Sequence, residues 1–167
     1  VGESIENVSN PVSSGFVVRN NDSTTFPSDV RWSWTNGRQP NTNTAGVFQY
    51  NVTANYYDNS SNSTNVTLKV KPKKPIINAS DVEHKKGLAG QSIRVDVGNG
   101  VKDNSKVKLY DRGKLIGEGR TTGTTATVIV SEALSGNPIT AETIVEQGGT
   151  VTSERSEAVT PTEIPDK

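Results

Sequence analysis

The one histidine of this sequence, His84, stands beside Asp81 and Glu83 in a polar segment between predicted strands. A lone imidazole catalyses a reaction or holds a metal only where other groups converge on it. The 167 residues contain no second histidine and no cysteine. We therefore interpret the segment as a solvated loop, with catalysis and metal binding as the alternatives. We predict no enzyme activity, no catalytic residue, no cofactor and no metal site.

A cluster of oxygen-bearing side chains follows the middle of the first half, in the run Asp58-Asn59-Ser60-Ser61-Asn62. Calcium prefers such oxygen ligands at close spacing. The run lacks a second carboxylate and the distal glutamate of an EF-type loop. We therefore favour a plain hairpin turn over a Ca²⁺ site.

Trp32 and Trp34 alternate with polar residues and share one face of a predicted strand with Val30. Two tryptophans on one face are a candidate sugar-stacking platform. Their module is short of other apolar residues, so we favour packing of both rings in its core.

Seven asparagines begin an Asn-x-Ser/Thr glycosylation sequon. Either the chain is a heavily glycosylated ectodomain, or the sequons follow by chance from its richness in Asn, Ser and Thr. They are Asn7, Asn21, Asn51, Asn59, Asn62, Asn65 and Asn78.

Composition narrows the class of protein. Hydrophobic residues make up 31% of the chain, against about 45–50% in typical domains, which predicts thin cores. The net charge of zero argues against a nucleic-acid partner, which requires a basic footprint. Without cysteine there are no disulfides or thiolate metal sites. No apolar run approaches the roughly 20 residues of a membrane span, and no signal peptide opens the chain. We expect a fragment of a longer protein.

Two prolines, Pro72 and Pro75, break the chain into unlike halves. Each fixes its own φ and extends the preceding residue, which predicts a short semi-rigid connector. Eight aromatic residues precede it and only Tyr110 follows it, so we expect one aromatic and one aliphatic core. The basic residues Lys69, Lys71, Lys73 and Lys74 are interpreted as a solvated linker. The predicted division is a domain over 1–71, a linker over 72–75, a domain over 76–161, and a tail or next linker over 162–167.

Strict alternation of apolar and polar residues predicts antiparallel strands in both halves. In the first half, residues 48–56 and 64–70 form a hairpin with one buried face, and Asn36-Gly37 supplies a tight turn after the tryptophan strand. In the second half, about seven strands are separated by turns every 8–12 residues, as in a β-sandwich. Gly113 suits the left-handed position of a bulged hairpin turn, and the last strand is predicted over 151–159.

The first half resembles the Rib-type domains of Gram-positive surface proteins. The resemblance covers about residues 26–70 and rests on Gly46-Val47-Phe48 opening a long strand, on Tyr57-Asp58-Asn59-Ser60-Ser61, and on a Thr/Val strand that closes at the Lys/Pro boundary. Three departures stand out: Phe48 replaces a tyrosine, no proline precedes Asp58, and Asn59 replaces the turn glycine.

The second half resembles bacterial Ig-like modules of adhesins over residues 75–161. The resemblance rests on the hairpin of residues 107–117, on Ile139-Thr140-Ala141-Glu142-Thr143, and on a final Ser153-Glu154-Arg155-Ser156. The order of the two modules is similar to that of giant staphylococcal surface proteins. Because both resemblances are bacterial, chance is the favoured origin of the sequons. Some Gram-positive surface domains also carry Lys–Asn isopeptide crosslinks, for which many pairs here are candidates.

Together the resemblances imply an all-β chain of two tandem Ig-like/Rib-like antiparallel β-sandwich domains. They imply a non-enzymatic stalk in a bacterial adhesin, located outside the cell on the cell wall. The partners expected are neighbouring modules of the same long chain, with no nucleic acid and no membrane span in this fragment. The alternative is a module that binds a host extracellular-matrix protein or glycan.

Overall fold

A computed structural model describes residues 1–6, 8–11, 31–56 and 58–165 of the chain. The sequence also predicts a short β-strand at residues 16–18 and a polar turn at residues 19–23. These two predictions, and the positions Asn7, Val30 and Tyr57, lie outside these ranges. The chain divides into two compact units. The N-terminal unit comprises Gly2–Thr42 and Val47–Lys69, and the C-terminal unit comprises Val1, Asn43–Gly46 and Val70–Lys167. The domain limits predicted from the sequence stay a proposal.

Three strands form the described sheet of the N-terminal unit: β1 (Arg31–Trp34), β2 (Gly46–Asn55) and β3 (Ser61–Val70), in the order β1-β2-β3. The predicted Asn-Gly turn after β1 is confirmed, since Asn36 and Gly37 have φ values of 56° and 69°. A backbone bond from the Arg38 N–H to the Thr35 carbonyl (3.2 Å) closes this turn.

The core of the N-terminal unit is aromatic, as the sequence predicts. Trp34 and Tyr50 are each 5% exposed, and their rings meet edge to face at 6.2 Å. The Trp34 indole N–H donates to the Val8 carbonyl at 2.5 Å, so burial leaves its polar atom satisfied. The cluster of buried and partly buried residues consists of Trp34, Tyr50, Val52, Trp32, Phe48, Val66 and Leu68.

Seven antiparallel strands form the sheet of the C-terminal unit, in the order β10-β9-β6-β7-β8-β5-β4. Strand β7 pairs with β6 along most of its length but with β8 only through Thr121 and Thr122. The sheet therefore folds into two layers at the end of β7. The strands are β4 (Ile76–Ile77), β5 (Gln91–Asp96), β6 (Lys106–Asp111), β7 (Lys114–Thr122), β8 (Thr125–Val130), β9 (Ile139–Glu146) and β10 (Thr150–Thr152).

Inward-facing residues of both layers meet in one aliphatic core. Every second residue of β5, β8 and β9 is buried, as expected of strands with one covered face. The all-β sandwich prediction is confirmed, and so is the expected aliphatic core. Its buried members are Ile77, Val82, Ile93, Val95, Val97, Val107, Leu109, Ala126, Val128, Val130, Leu134, Ile139 and Ala141.

The hairpin between β6 and β7 follows the sequence pattern. Arg112 and Gly113 both have positive φ, 48° and 83°, which is the twist a two-residue hairpin turn requires. The register shifts between Leu109 and Tyr110, where β7 has one extra residue, Ile116, and forms a β-bulge. The left-handed position predicted for Gly113 is therefore confirmed, and the hairpin contains a bulge, as predicted.

Two glycines of β7 allow β8 to approach closely at the fold between the layers. A Cβ atom built on Gly119 would lie 2.5 Å from the Thr127 carbonyl oxygen, and one on Gly117 would lie 2.8 Å from Val128 Cγ1. Both distances are shorter than side-chain atoms tolerate, and in the first case the obstacle is backbone. Glycine is therefore needed here for space.

We expect Gly119→Ala to lower the free energy of unfolding of the C-terminal unit by about 1–3 kcal/mol, because the new methyl group must push β7 and β8 apart. Urea unfolding followed through the amide NMR signals of β5 and β8 measures the change. Glu118→Ala, at an exposed neighbouring position of the same strand, is the matched control. Equal stability of the two variants would contradict the close approach.

The last strand differs from the prediction. Regular pairing with β9 ends at Thr152, and only an isolated bridge between Ile139 and Val159 follows. The prediction of a strand over 151–159 was therefore wrong for most of its length.

Two serines interrupt the ladder at this point. The backbone N–H of Ser153 donates to the Thr143 carbonyl, and the Thr143 N–H returns a bond to the Ser153 hydroxyl, both at 2.9 Å. Ser156 does the same with Ala141, at 2.9 and 2.7 Å. Each hydroxyl thus replaces a backbone carbonyl as acceptor, and both serines are buried. The regular ladder is lost while the backbone groups of β9 remain satisfied.

Candidate functional site

His84 is exposed and contacts the C-terminal segment of the chain. Its backbone N–H donates to the Thr162 hydroxyl at 2.7 Å, and its Nδ1 lies 3.0 Å from the Glu163 carbonyl oxygen. The nearest carboxylate, that of Glu83, lies 3.5 Å from Nε2. Lys86 adds a backbone bond to the Thr162 carbonyl (2.9 Å). The loop is solvated as predicted, and its contacts hold the segment predicted as a tail.

Asp81 points away from this histidine and pairs with Arg94 of β5. The guanidinium approaches both carboxylate oxygens at 2.9 Å, and the Arg94 backbone N–H donates to the same carboxylate at 2.9 Å. These bonds, the side-chain pair first, hold the pKa of Asp81 below its usual range in spite of partial burial. The hydrogen bond to Asp81 likewise raises the pKa of Arg94.

This pair predicts a dependence of stability on pH. Because the folded-state pKa of Asp81 lies below its ordinary value of 3.8, the stabilisation is complete well above pH 3.8 and is lost as the pH falls through the folded-state pKa. We expect Asp81→Asn to cost about 1 kcal/mol at pH 7, a modest value because Arg94 is 60% exposed and water screens the pair.

Urea unfolding at pH 7 and at pH 3 measures this effect, since the difference between Asp81→Asn and the natural chain should shrink at the lower pH. Glu118→Gln is the control, because Glu118 makes no ion pair within the residues that the structure describes. A difference that stays constant with pH would contradict the role of the ionised carboxylate.

The Asp58 side chain stabilises the turn in which it lies. One carboxylate oxygen accepts bonds from the Ser60 backbone N–H (3.0 Å) and hydroxyl (2.5 Å), and these bonds lower the pKa of Asp58. Asn59 has a φ of 69°, so it takes the left-handed conformation that asparagine tolerates. The hairpin-turn prediction is confirmed, and Asn59 adopts a conformation that glycine also favours.

The tryptophans form no exposed platform. Trp34 is buried and Trp32 is half-buried against the same cluster. The prediction that both rings pack in the core is confirmed.

The proline connector is fixed to the C-terminal unit. Pro72 and Pro75 are buried, and Lys74 Nζ lies 2.5 Å from the Glu157 carboxylate. Their hydrogen bond raises the pKa of Lys74 and lowers that of Glu157. The four lysines of the basic run are exposed, as predicted for a solvated linker. None of the lysines in the described ranges is buried, so no isopeptide candidate stands out among them.

A polar cleft of about 200 Å³ lies beside the turn that joins β5 to β6. Three of its residues stand side by side across three strands, because Lys106 of β6 faces Arg120 of β7 on one side and Ile144 of β9 on the other. No local sequence pattern predicts this cleft, because its residues are far apart in the chain and only the strand register brings them together. The lining residues are Lys102, Asp103, Asn104, Ser105, Lys106, Arg120, Ile144 and Glu146.

Hydrogen bonds hold the turn beneath the cleft in one conformation. The Lys102 carbonyl accepts from the hydroxyls of Ser105 (2.6 Å) and Thr121 (3.1 Å), and the Ser105 N–H donates to the Thr121 hydroxyl (3.0 Å). The Asp103 carboxylate accepts from the Gly123 N–H (2.9 Å). One Arg120 nitrogen donates to the Asn104 carbonyl at 3.2 Å.

Other kinds of site find little support in the described residues. None of their helices is long and apolar enough to cross a membrane. Within the same ranges, His, Asp and Glu side chains form no group of three able to hold a metal ion.

Comparison with known proteins bears on the N-terminal half and on the chain as a whole. Residues 4–72 match the Rib domain family, which confirms the resemblance described above. The Staphylococcus aureus MRSA252 protein named extracellular matrix-binding protein ebh is 29% identical over 130 residues, which cover 75% of this chain and 1% of that protein. EbhB of S. aureus N315 is 31% identical over 155 residues, which cover 84% of this chain and 4% of EbhB.

The chain therefore spans only a few per cent of the length of these relatives, at most 4%. Among solved structures, a crystal structure of titin domains aligns with 69% of this chain and 41% of its own, at a TM-score of 0.38 and 20% identity.

Proposed function

We propose that this chain, a relative of the staphylococcal Ebh proteins with a Rib domain in its first half, forms two adjacent non-enzymatic modules of the extracellular stalk of a Gram-positive cell-wall protein. The observation that carries the proposal is the fixed connector, with buried Pro72 and Pro75 and the ion pair from Lys74 to Glu157. A spacer requires such a connector, because a loose tether would not keep its modules extended.

The far end of the C-terminal unit supports the same role. The last described segment of the chain is attached to this unit, because Thr162 and Glu163 are hydrogen-bonded to His84 and Lys86. Both chain segments that enter and leave the unit are thus attached to its surface. Neighbouring modules of the same long chain are the proposed partners, and the bacterial cell wall is the proposed location.

Small-angle X-ray scattering of the whole chain tests the stalk. We expect an elongated particle whose radius of gyration clearly exceeds the roughly 15 Å of a compact globule of this length. A globular profile would contradict the proposal.

Distances between spin labels test the connector itself. The chain has no cysteine, so Asn65→Cys and Glu118→Cys place one label on each unit at an exposed strand position. We expect a narrow distance distribution that broadens when Pro72→Gly and Pro75→Gly are added. A distribution that is already broad in the natural connector would argue for a flexible tether.

The second candidate is binding of a host extracellular-matrix protein or glycan. The relatives are named extracellular matrix-binding proteins, which favours a ligand in the matrix. It is tested by saturable binding of the chain to immobilised fibronectin or to a glycan array. Because the tryptophans lie in the core, a binding surface must be sought elsewhere on the molecule.

A further inference from the structure

We infer that the cleft between the turn at residues 102–105 and strands β6, β7 and β9 is a binding site for an anionic saccharide, one sugar ring that carries a sulfate or phosphate group. The inference concerns the C-terminal unit alone and does not depend on the stalk role. For the second candidate function, glycan binding, the inference identifies the class of ligand and the location of the binding site.

Cationic side chains dominate the cleft. Lys102, Lys106 and Arg120 face it together with two carboxylates, those of Asp103 and Glu146, which leaves one net positive charge. Neither lysine forms an ion pair with any carboxylate in the described ranges. Arg120 uses one of its five N–H donors for the Asn104 carbonyl. Donors for an anion are therefore available, and charge-assisted bonds are the strong kind.

The remaining lining suits a sugar better than a free anion. Ionised carboxylates accept hydrogen bonds from sugar hydroxyl groups, and the Asn104 amide can donate to them or accept from them. A bare anion would leave both carboxylates without a donor. Half-buried Ile144 supplies an apolar wall for the C–H face of a ring. A volume of about 200 Å³ is below the roughly 300–1,000 Å³ of pockets for drug-sized ligands. One ring with its charged substituent is thus the expected size.

The turn is already ordered, which favours binding. Its hydrogen bonds to Thr121 and Gly123 fix the backbone before any ligand arrives. Little conformational entropy is then lost on association. The exposed basic run at Lys69, Lys71 and Lys73 lacks such a concave frame and would attract polyanions only through salt-sensitive charge.

The experiment is an NMR titration of the whole chain with N-acetylglucosamine 6-sulfate, N-acetylglucosamine 6-phosphate, plain N-acetylglucosamine and inorganic sulfate. We expect saturable shifts of the amides of residues 102–106, Arg120 and Glu146 with at least one charged sugar. Comparison of the affinities for the 6-sulfate and the 6-phosphate then identifies the charged group that the cleft prefers. Equal binding of plain N-acetylglucosamine, or of inorganic sulfate alone, would overturn the assignment to an anionic saccharide.

Variants locate the site. We expect Lys106→Ala with Arg120→Ala to weaken binding roughly tenfold or more, because charge-assisted bonds to the anion are lost. Lys69→Ala with Lys73→Ala removes the same charge from the basic run and should change the affinity less than about twofold. Lys106→Gln with Arg120→Gln repeats the test if the alanine variant fails to fold. The proposal would be overturned if the Lys69/Lys73 variant lost more affinity than the Lys106/Arg120 variant, or if the shifts were confined to residues 69–74. X-ray scattering of the same samples tests the stalk proposal separately.

Discussion

Replacing Trp34 by alanine should lower the free energy of unfolding of the N-terminal unit by about 3–5 kcal/mol. Its described core centres on a cluster with three buried members, Trp34, Tyr50 and Val52. The change leaves a cavity, removes the edge-to-face contact with Tyr50 and leaves the Val8 carbonyl without its indole donor. Denaturant unfolding followed through the amide NMR signals of β2 measures the loss. The same size of effect is expected for Tyr50→Ala.

Tyr56→Ala is the control for both variants. Tyr56 follows β2 on the same predicted face but is 36% exposed, so its removal should cost clearly less. Unchanged melting of Trp34→Ala and Tyr50→Ala would mean that the aromatic cluster does not hold the unit together.

The double variant Ser153→Ala with Ser156→Ala should destabilise the C-terminal unit by about 2–5 kcal/mol. Each hydroxyl accepts a buried backbone N–H of β9, from Thr143 or from Ala141. Without it that N–H has no acceptor, at about 1–3 kcal/mol for each buried group. Calorimetric melting gives the size, and hydrogen exchange of the Ala141 and Thr143 amides shows whether the loss is local.

Ser92→Ala provides the matched comparison, since Ser92 is exposed on β5 and its loss should stay within about 0.5 kcal/mol. If the double variant melts like Ser92→Ala, or if the two β9 amides keep their protection, water must replace the hydroxyls and the inference about them fails.

Local patterns predicted those parts of the fold that depend on neighbours in sequence. Tyr50 and Val52 are buried on one face because side chains alternate along a strand, and Asn36-Gly37 turns because both residues accept positive φ. The last strand was predicted through to Val159, past Ser153 and Ser156, where the regular ladder ends. Nothing local reveals that their hydroxyls take the place of ladder carbonyls.

The candidate site could not be predicted from the sequence, for a related reason. Lys106, Arg120 and Ile144 are brought together by the pairing of three strands, and the register of β6 with β7 shifts by one residue at the bulge of Ile116. Register depends on long-range packing, which a single sequence does not contain. Asp81 was noticed for its closeness to His84, whereas its partner is Arg94, thirteen positions away.

The short edge strand β10 also affects how readily a strand of another module or molecule can pair with the sheet. The edge of a β-sheet offers a row of unpaired backbone groups to which a foreign strand can add, and tandem modules are prone to that error while they fold. Here β10 is the edge strand and is only three residues long. Beyond it, regular pairing with β9 ends, and the hydroxyls of Ser153 and Ser156 replace backbone carbonyls as acceptors. A short, interrupted edge of this kind offers few regularly spaced backbone groups to a foreign strand, which is one way in which β-proteins limit edge-to-edge aggregation.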